Sequence, residues 1–333
     1  MVDIEAIRSA FSKISPYIIR TPLLSSPLLD KILGYRLFIK AEMLQTTGAF
    51  KLRGATHKLM CLSQKAQNGV VAFSSGNHAQ AVACATQRIG VPSHIIMPSD
   101  APLVKLAKTR AFKANVITYN RKTEDREKIA LALAVKKNIP VIKPYDDFDV
   151  IKGQGTLGLE IALQCQEMGI KPTSIALPVG GGGLASGCAI ALHHYFKDLN
   201  IYGVEPFYHD DVACSLKAGK PVGFSSCSPP HSICDSVVTP IPGSKTFPIL
   251  KQHLSGVALI HDQDVLATMR VVFDHFRLVV EPGGVLALAA FLTQQIKISC
   301  KHRNEVCVAV LSGGNTDESM MQKAFSTQTS GLI

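Results

Sequence analysis

The chain has 333 residues, a hydrophobic fraction of 47%, 25 glycines, no tryptophan and a formal net charge of +10. That much apolar side chain excludes a disordered protein, and the length suits one large or two medium domains. The basic residues form no dense run. The stretches 105–113 and 121–128 fall at helical spacing and read as solvated faces, so no nucleic-acid partner is expected.

The nine cysteines are odd in number and include no C-x-x-C pair, which points to reduced thiols, not to a disulfide framework or a zinc site. The opening MVDIEAIRSAF carries acids early and lacks an apolar signal region. No apolar run approaches the roughly 20 residues that span a bilayer. A cytoplasmic protein with no membrane partner is the expectation.

In chain order, strands are predicted over 36–43 and 70–74, a helix over 77–89, a strand over 93–97, a helix over 103–112 and a strand over 115–119. Helices over 124–137 and 157–168, a strand over 174–179, a helix over 184–196 and a strand over 201–204 follow. A proline-rich stretch, 203–248, reads as irregular. Helices over 264–276 and 285–295 and a last strand over 305–311 complete the pattern. Strands alternating with helices predict an α/β protein with mostly parallel sheet and helices on both faces. Ligands in such sheets sit at the carboxyl ends of the strands.

Four loops and one lysine stand out. Pro178-Val-Gly-Gly-Gly-Gly-Leu184 joins a predicted strand to a predicted helix. Its glycines let backbone N–H groups converge on a small phosphate at a helix start. A plain tight turn is the alternative, and the spacing is neither a dinucleotide fingerprint nor a P-loop. Ser74-Ser-Gly-Asn-His78 reads equally as a carboxylate cradle and as an N-cap cluster. Leu311-Ser-Gly-Gly-Asn315 places a hydroxyl at a strand end, where it can bond a heterocycle nitrogen. Glu205-Pro-Phe-Tyr-His-Asp-Asp211 reads first as a solvated acidic turn, with a hard-cation site such as Mg²⁺ or Ca²⁺ as the alternative.

The lysine lies in QTTGAFKLRGA, residues 45–55. Lys51 follows an aromatic and sits between glycine turns, which suits a side chain held in place for chemistry. A phosphate cradle, a carboxylate cradle and such a lysine together match pyridoxal phosphate, whose aldehyde takes a lysine as a Schiff base. Desolvation beside Phe50 would favour the neutral, nucleophilic amine.

With T-G-A-F-K-L-R-G-A, S-S-G-N-H, G-G-G-G-L and S-G-G-N in that order, the sequence resembles the serine/threonine dehydratases (threonine ammonia-lyases) and serine racemases. These are pyridoxal-phosphate enzymes of the two-domain tryptophan synthase β-like fold. The resemblance runs from Arg20-Thr-Pro-Leu23 to Asn315. It implies that Lys51 carries the cofactor, that Phe50 packs against its ring and that Asn77 bonds its phenolic oxygen. Gly180, Gly181, Gly182, Gly183 and Leu184 would hold the phosphate, and Ser312 would face the ring nitrogen. Ser75 would be the acid/base on the face opposite Lys51, and Ser74 and His78 would help seat the substrate carboxylate. Glu205, the His209 carbonyl and Asp211 match a divalent-cation loop found in part of the family, for Mg²⁺, Mn²⁺ or Ca²⁺.

The resemblance further implies a smaller domain over 51–145, inserted into a larger one formed by 1–50 and 146–333 and closing on substrate. A homodimer or homotetramer is expected, with no regulatory domain appended. The implied reaction converts L-threonine or L-serine to a 2-oxo acid and ammonia. Racemisation of serine and dehydration of threo-3-hydroxyaspartate are the alternatives on the same site, and the latter would want an extra cation that the sequence does not place. A non-catalytic binding protein of the same fold is a more distant alternative. Ala49 stands where the family often has Ser, and Cys234-Asp-Ser236 where Ala-Asp-Gly is common. Glu281-Pro-Gly-Gly284 is one of several family variants. These departures lie toward the substrate side.

Overall fold

The computed structural model describes residues 2–74, 76–101, 103–226, 230–298, 305–329 and 332. From the N-terminus it forms α1 (Ile4–Ile14), β1 (Leu23–Ser25), α2 (Pro27–Leu33), β2 (Arg36–Ala41), α3 (Lys51–Leu62) and β3 (Val70–Phe73). There follow α4 (Asn77–Ile89), β4 (Ser93–Pro98), α5 (Leu103–Ala111), β5 (Asn115–Tyr119), α6 (Arg126–Lys137) and α7 (Phe148–Glu167). Beyond these lie β6 (Ser174–Pro178), α8 (Gly183–Tyr195), β7 (Asn200–Pro206), α9 (Asp211–Ala218) and α10 (Phe247–His253). The chain continues through β8 (Gly256–Ile260), α11 (Asp262–Phe276), α12 (Pro282–Leu292), β9 (Val306–Leu311) and α13 (Glu318–Ser326).

The larger sheet has the order β1-β2-β9-β6-β7-β8, with only β1 antiparallel to its neighbour. Its strands alternate between two cores, as a pleated sheet covered on both faces must. Along β9, Cys307, Ala309 and Leu311 join the core of α11 and α12, while Val306, Val308 and Val310 join the core of α7 and α8. The smaller sheet, β3-β4-β5, is parallel throughout. Val70, Ala72 and Ile95 pack toward α3 and α4, whereas Val71 and Ile96 pack toward α6.

The stretch expected to be irregular contains the end of β7, α9 and the start of α10. At the start of α9, Glu205 of β7 accepts from the N–H groups of Val212 and Ala213, so a strand residue satisfies the helix start. The predicted helix over 157–168 is the second half of the 20-residue α7. Its first half carries glycines because helices cross closely there. A Cβ on Gly153 would stand 2.7 Å from Gly54 Cα, and one on Gly155 would stand 2.9 Å from the Gly187 carbonyl oxygen.

Both sheets turn the carboxyl ends of their strands toward one cleft. β3 runs into Ser74, β6 into the glycine loop and β9 into Ser312, and all three segments line it.

Candidate active site

Lys51 is the first residue of α3, so the turn before it decides where its amine points. Gly48 takes φ +71°, and a Cβ there would come 2.8 Å from Asn315 Oδ1. The Gly48 N–H donates to the Gln45 carbonyl at 2.7 Å, Gly314 N–H donates to the Gly48 carbonyl at 2.9 Å, and Phe50 N–H donates to the Ser312 carbonyl at 3.0 Å. The turn around Lys51 is thus tied to the loop after β9, and glycine at 48 answers both the left-handed backbone and the close approach. Lys51 Nζ donates to the Pro144 carbonyl at 3.0 Å and lies 5.0 Å from the centre of the Phe50 ring. Burial lowers the Lys51 amine to about 8, with the Glu281 carboxylate opposing the shift. A helix N-terminus, carrying positive partial charge, acts in the same direction as burial.

The glycine loop crosses to α8. Gly182, its N-cap, takes φ +91° and offers no side-chain cap, so the first N–H groups of α8 have no partner within the helix. The loop is packed from behind. A Cβ on Gly181 would overlap the Tyr145 ring at 2.3 Å, and one on Gly180 would meet the Val237 carbonyl at 2.5 Å. Thr246 Oγ1 donates to the Gly181 carbonyl at 2.7 Å, which turns that peptide's oxygen away from the cleft. Backbone N–H groups at an uncapped helix start, with no room for side chains, fit a phosphate.

Ser312 lines the same cleft, and its hydroxyl has no hydrogen-bond partner among the described residues, as fits a group awaiting a ring nitrogen. Asn77 is held from both ends: its Nδ2 donates to Glu281 Oε1 at 2.5 Å, and its Oδ1 accepts from Asn315 Nδ2 at 2.9 Å. Ser74 Oγ accepts from Gly76 N–H at 3.2 Å and lines the cleft. His78 lines it too, but its Nε2 is engaged by the Ile142 carbonyl at 3.0 Å. Burial, then the nearby Lys51 charge, pushes the His78 imidazole down to about 3, so it is neutral there. Ser75 lies outside the described residues.

Two cleft residues, Lys105 and Arg126, escape a sequence reading, and a third, Glu281, is placed toward the substrate side by the resemblance but without a role. Glu281 is buried beside Lys51 and is pushed up to about 7 by burial, against the donation from Asn77. The Glu-Pro-Gly-Gly motif at the start of α12 marks its place, but nothing in it shows that the carboxylate faces Lys51. Lys105 and Arg126, read from spacing as parts of solvated faces, instead line the cleft. Helical spacing could not show this, because the face they occupy is turned toward the larger sheet's loops. Lys105 Nζ pairs with Asp235 Oδ2 at 3.4 Å, and Arg126 lies 5.8 Å from the centre of the Phe73 ring.

Beneath α3 lies a fully buried ionic cluster. Arg53 donates to both oxygens of Glu42, at 2.9 and 2.7 Å, and to both oxygens of Glu160, at 3.0 and 3.1 Å. Lys40 donates to Glu160 at 2.6 Å and to the Thr21 carbonyl at 2.7 Å. Two cations balance two carboxylates. Burial alone would raise the Glu42 carboxyl, but Arg53 outweighs it and the net shift is downward.

Glu205 lies next to the end of β7 and Asp211 begins α9, both buried. Burial pushes Glu205 well above the usual carboxylate range, and Asp211 to about 7, as expected for two carboxylates that share a proton. Such a pair, with a backbone carbonyl beside it, suits a hard cation. Among the described residues no three His, Cys, Asp or Glu side chains converge on one point. His209 Nε2 is engaged by the Pro230 carbonyl at 3.1 Å, while its buried Nδ1 has no hydrogen-bond partner among the described residues. No helix among the described residues is long and apolar enough to cross a membrane.

The sequence matches the pyridoxal-phosphate dependent enzyme family over residues 14–313. It is 37% identical over 326 residues to an L-threo-3-hydroxyaspartate ammonia-lyase of Saccharomyces cerevisiae, covering 98% of this chain and 95% of that one. Among solved structures, a threonine deaminase from T.th. superposes with a TM-score of 0.88 at 41% identity, covering 95% of this chain and 99% of that one. Maize serine racemase superposes with a TM-score of 0.89 at 33% identity, covering 97% of each chain. The fold is accordingly the tryptophan synthase β-like fold shared by these enzymes. Over nearly its whole length the chain belongs to the pyridoxal-phosphate dependent enzyme family, and pyridoxal phosphate is its cofactor.

Proposed function

We propose that the protein is a cytoplasmic dehydratase that converts β-hydroxy-α-amino acids, L-threonine and L-serine, to 2-oxo acids and ammonia. The observation that carries this reading is a buried lysine amine, lowered to about 8, that lies against an aromatic ring in the cleft lined by the uncapped glycine loop. Bound pyridoxal phosphate supplies an electron sink for the charge left at Cα. Gly180 to Leu184 would hold its phosphate, Asn77 its phenolic oxygen and Ser312 its ring nitrogen.

The chain's own groups then divide the work. The Lys51 amine takes the Cα proton as general base, which its lowered pKa permits near neutral pH. Ser312, a neutral hydroxyl, cannot support a fully protonated ring nitrogen, which favours prompt loss of the β-hydroxyl over storage of charge. Ser74 and neutral His78 seat the substrate carboxylate, and Ser75 is the second acid/base that the resemblance implies. The segment 51–145 closes over the substrate as a unit, and two or four copies of the chain assemble. Glu205, the His209 carbonyl and Asp211 hold a divalent cation, with Mg²⁺ the first choice. The reading is tested by 2-oxo acid release from L-threonine and L-serine, with Lys51→Ala as control. Activity lost in that variant is expected, and activity that survives it would remove Lys51 from the reaction.

A second reading is favoured by Lys105 and Arg126. They supply cations at the cleft that a β-carboxylate would need, and the yeast relative's name specifies such a substrate. On this reading threo-3-hydroxyaspartate is turned over as well, and Arg126→Met depresses that activity more than activity on L-threonine.

A further inference from the structure

Asp235 and Lys105 are the acid and base that meet across the mouth of the cleft. Lys105 comes from α5, packed with the smaller sheet, and Asp235 from the loop between α9 and α10. The base of that loop is firmly held. Ser232 Oγ donates to Asp262 Oδ1 at 2.8 Å, Ile233 N–H donates to Asp262 Oδ2 at 2.9 Å, and the Cys234 side chain is wholly buried. The Asp235 carboxylate is by contrast 58% exposed, and its one polar contact among the described residues is the 3.4 Å approach of Lys105. An ion pair so placed is weak and readily exchanged.

The charges around it are unequal. Lys105 and Arg126 both line the cleft, yet no carboxylate pairs with Arg126 among the described residues. Glu281, the remaining acid, is turned inward and committed to Asn77. Among the described residues Asp235 alone forms an ion pair with either cation, and it pairs with Lys105.

We infer that Asp235 is a specificity-determining residue that stands in for a second substrate carboxylate on Lys105 and yields the place to one. The inference rests on the hydroxyamino-acid reading of the site given above. With a substrate that has no β-carboxylate, Asp235 keeps Lys105 paired and preserves a link across the cleft. With a dicarboxylate, the ligand takes Lys105 together with Arg126, and Asp235 moves into solvent where its charge is hydrated. Asp235 therefore competes against dicarboxylates and favours substrates that carry one carboxylate.

Asp235→Asn removes the charge at nearly constant size, at an exposed position where folding tolerates it. Holoenzyme of the wild type and of this variant is titrated with succinate and with butyrate through the visible absorbance of the bound cofactor. In parallel, kcat/KM is measured for threo-3-hydroxyaspartate and for L-threonine. Succinate is expected to tighten about threefold to fivefold relative to butyrate, and the hydroxyaspartate-to-threonine ratio of kcat/KM to rise by a similar factor. In Asp235→Asn combined with Lys105→Met, both gains disappear. A succinate-to-butyrate ratio unchanged by Asp235→Asn, including one that shows no preference in either protein, overturns the inference. Should the wild type turn over neither amino acid, the dehydratase reading fails, while the succinate-to-butyrate ratio still decides the role of Asp235.

Discussion

Lys51 has to meet two opposed demands, holding a fixed position and losing its proton near neutral pH. The Pro144 carbonyl and the Phe50 ring supply the first, and burial at a helix start supplies the second. A consequence can be read from the cofactor-free protein. Attachment of pyridoxal phosphate needs the neutral amine, so its rate, followed as growth of the visible band, rises with pH and levels off above about 8. An unperturbed lysine would keep rising to about pH 10.4. Glu281 sharpens the test. Its carboxylate favours the ammonium form, so Glu281→Gln lowers the Lys51 pKa further and moves the plateau to lower pH. The amide oxygen of glutamine can still accept from Asn77, which keeps the cofactor wall in place. A plateau that moved up, or stayed, would show that Glu281 does not govern this proton.

At the scale of elements, α3 delivers Lys51, and Arg53 fixes α3. Its guanidinium is fully buried and joins Glu42, just after β2, to Glu160 of α7, so the helix start is clamped between the sheet and a neighbouring helix. Arg53→Met leaves two buried carboxylates with Lys40 alone and should cost about 3–5 kcal/mol in denaturant unfolding. Arg53→Lys recovers only part of this, because an ammonium cannot reproduce the forked contacts to both acids. A loss under about 1 kcal/mol in Arg53→Met would mean that the cluster is no anchor. The same helix shows why part of the fold was hidden in the sequence. The apolar runs of β6 and β9 announce central parallel strands, and α4 is legible to the residue. By contrast α3 buries Arg53, Thr56 and His57 along with its apolar residues, so no amphipathic stripe marks it. The glycines of α7 imitate a loop while serving close helix contacts. β1 has only three residues, and β8 is a half-buried edge strand behind a proline-rich stretch. In the site, the loops with a chemical pattern were legible. Lys105 and Arg126 were not, nor was the role of Glu281 beside Lys51, since these depend on which elements face one another across the cleft.

On the scale of the whole molecule, the proposed cation position stands next to the cleft in the larger sheet. β7, which carries Glu205, pairs with β6, which carries the glycine loop. Thr239 lines the cleft and its Oγ1 donates to Asp211 Oδ2 at 3.5 Å, so the carboxylate pair is joined to the cleft wall that includes Asp235. Without a cation the two buried acids must share a proton to coexist; with one, both are ionised and the bound ion offsets their burial. A ligand that binds only the folded state stabilises it by mass action, by about 2.7 kcal/mol at a hundredfold excess over its Kd. Mg²⁺ added to chelator-treated holoenzyme should therefore raise the melting temperature. Asp211→Asn should abolish that rise while leaving a folded protein, because an amide beside a protonated Glu205 is neutral and still able to hydrogen bond. Slower thermal loss of the cofactor's visible band should accompany the rise in the wild type alone, since the stiffened wall is the one that faces the cofactor. A melting temperature indifferent to Mg²⁺, Mn²⁺ and Ca²⁺ would reduce Glu205 and Asp211 to a proton-sharing buttress for α9.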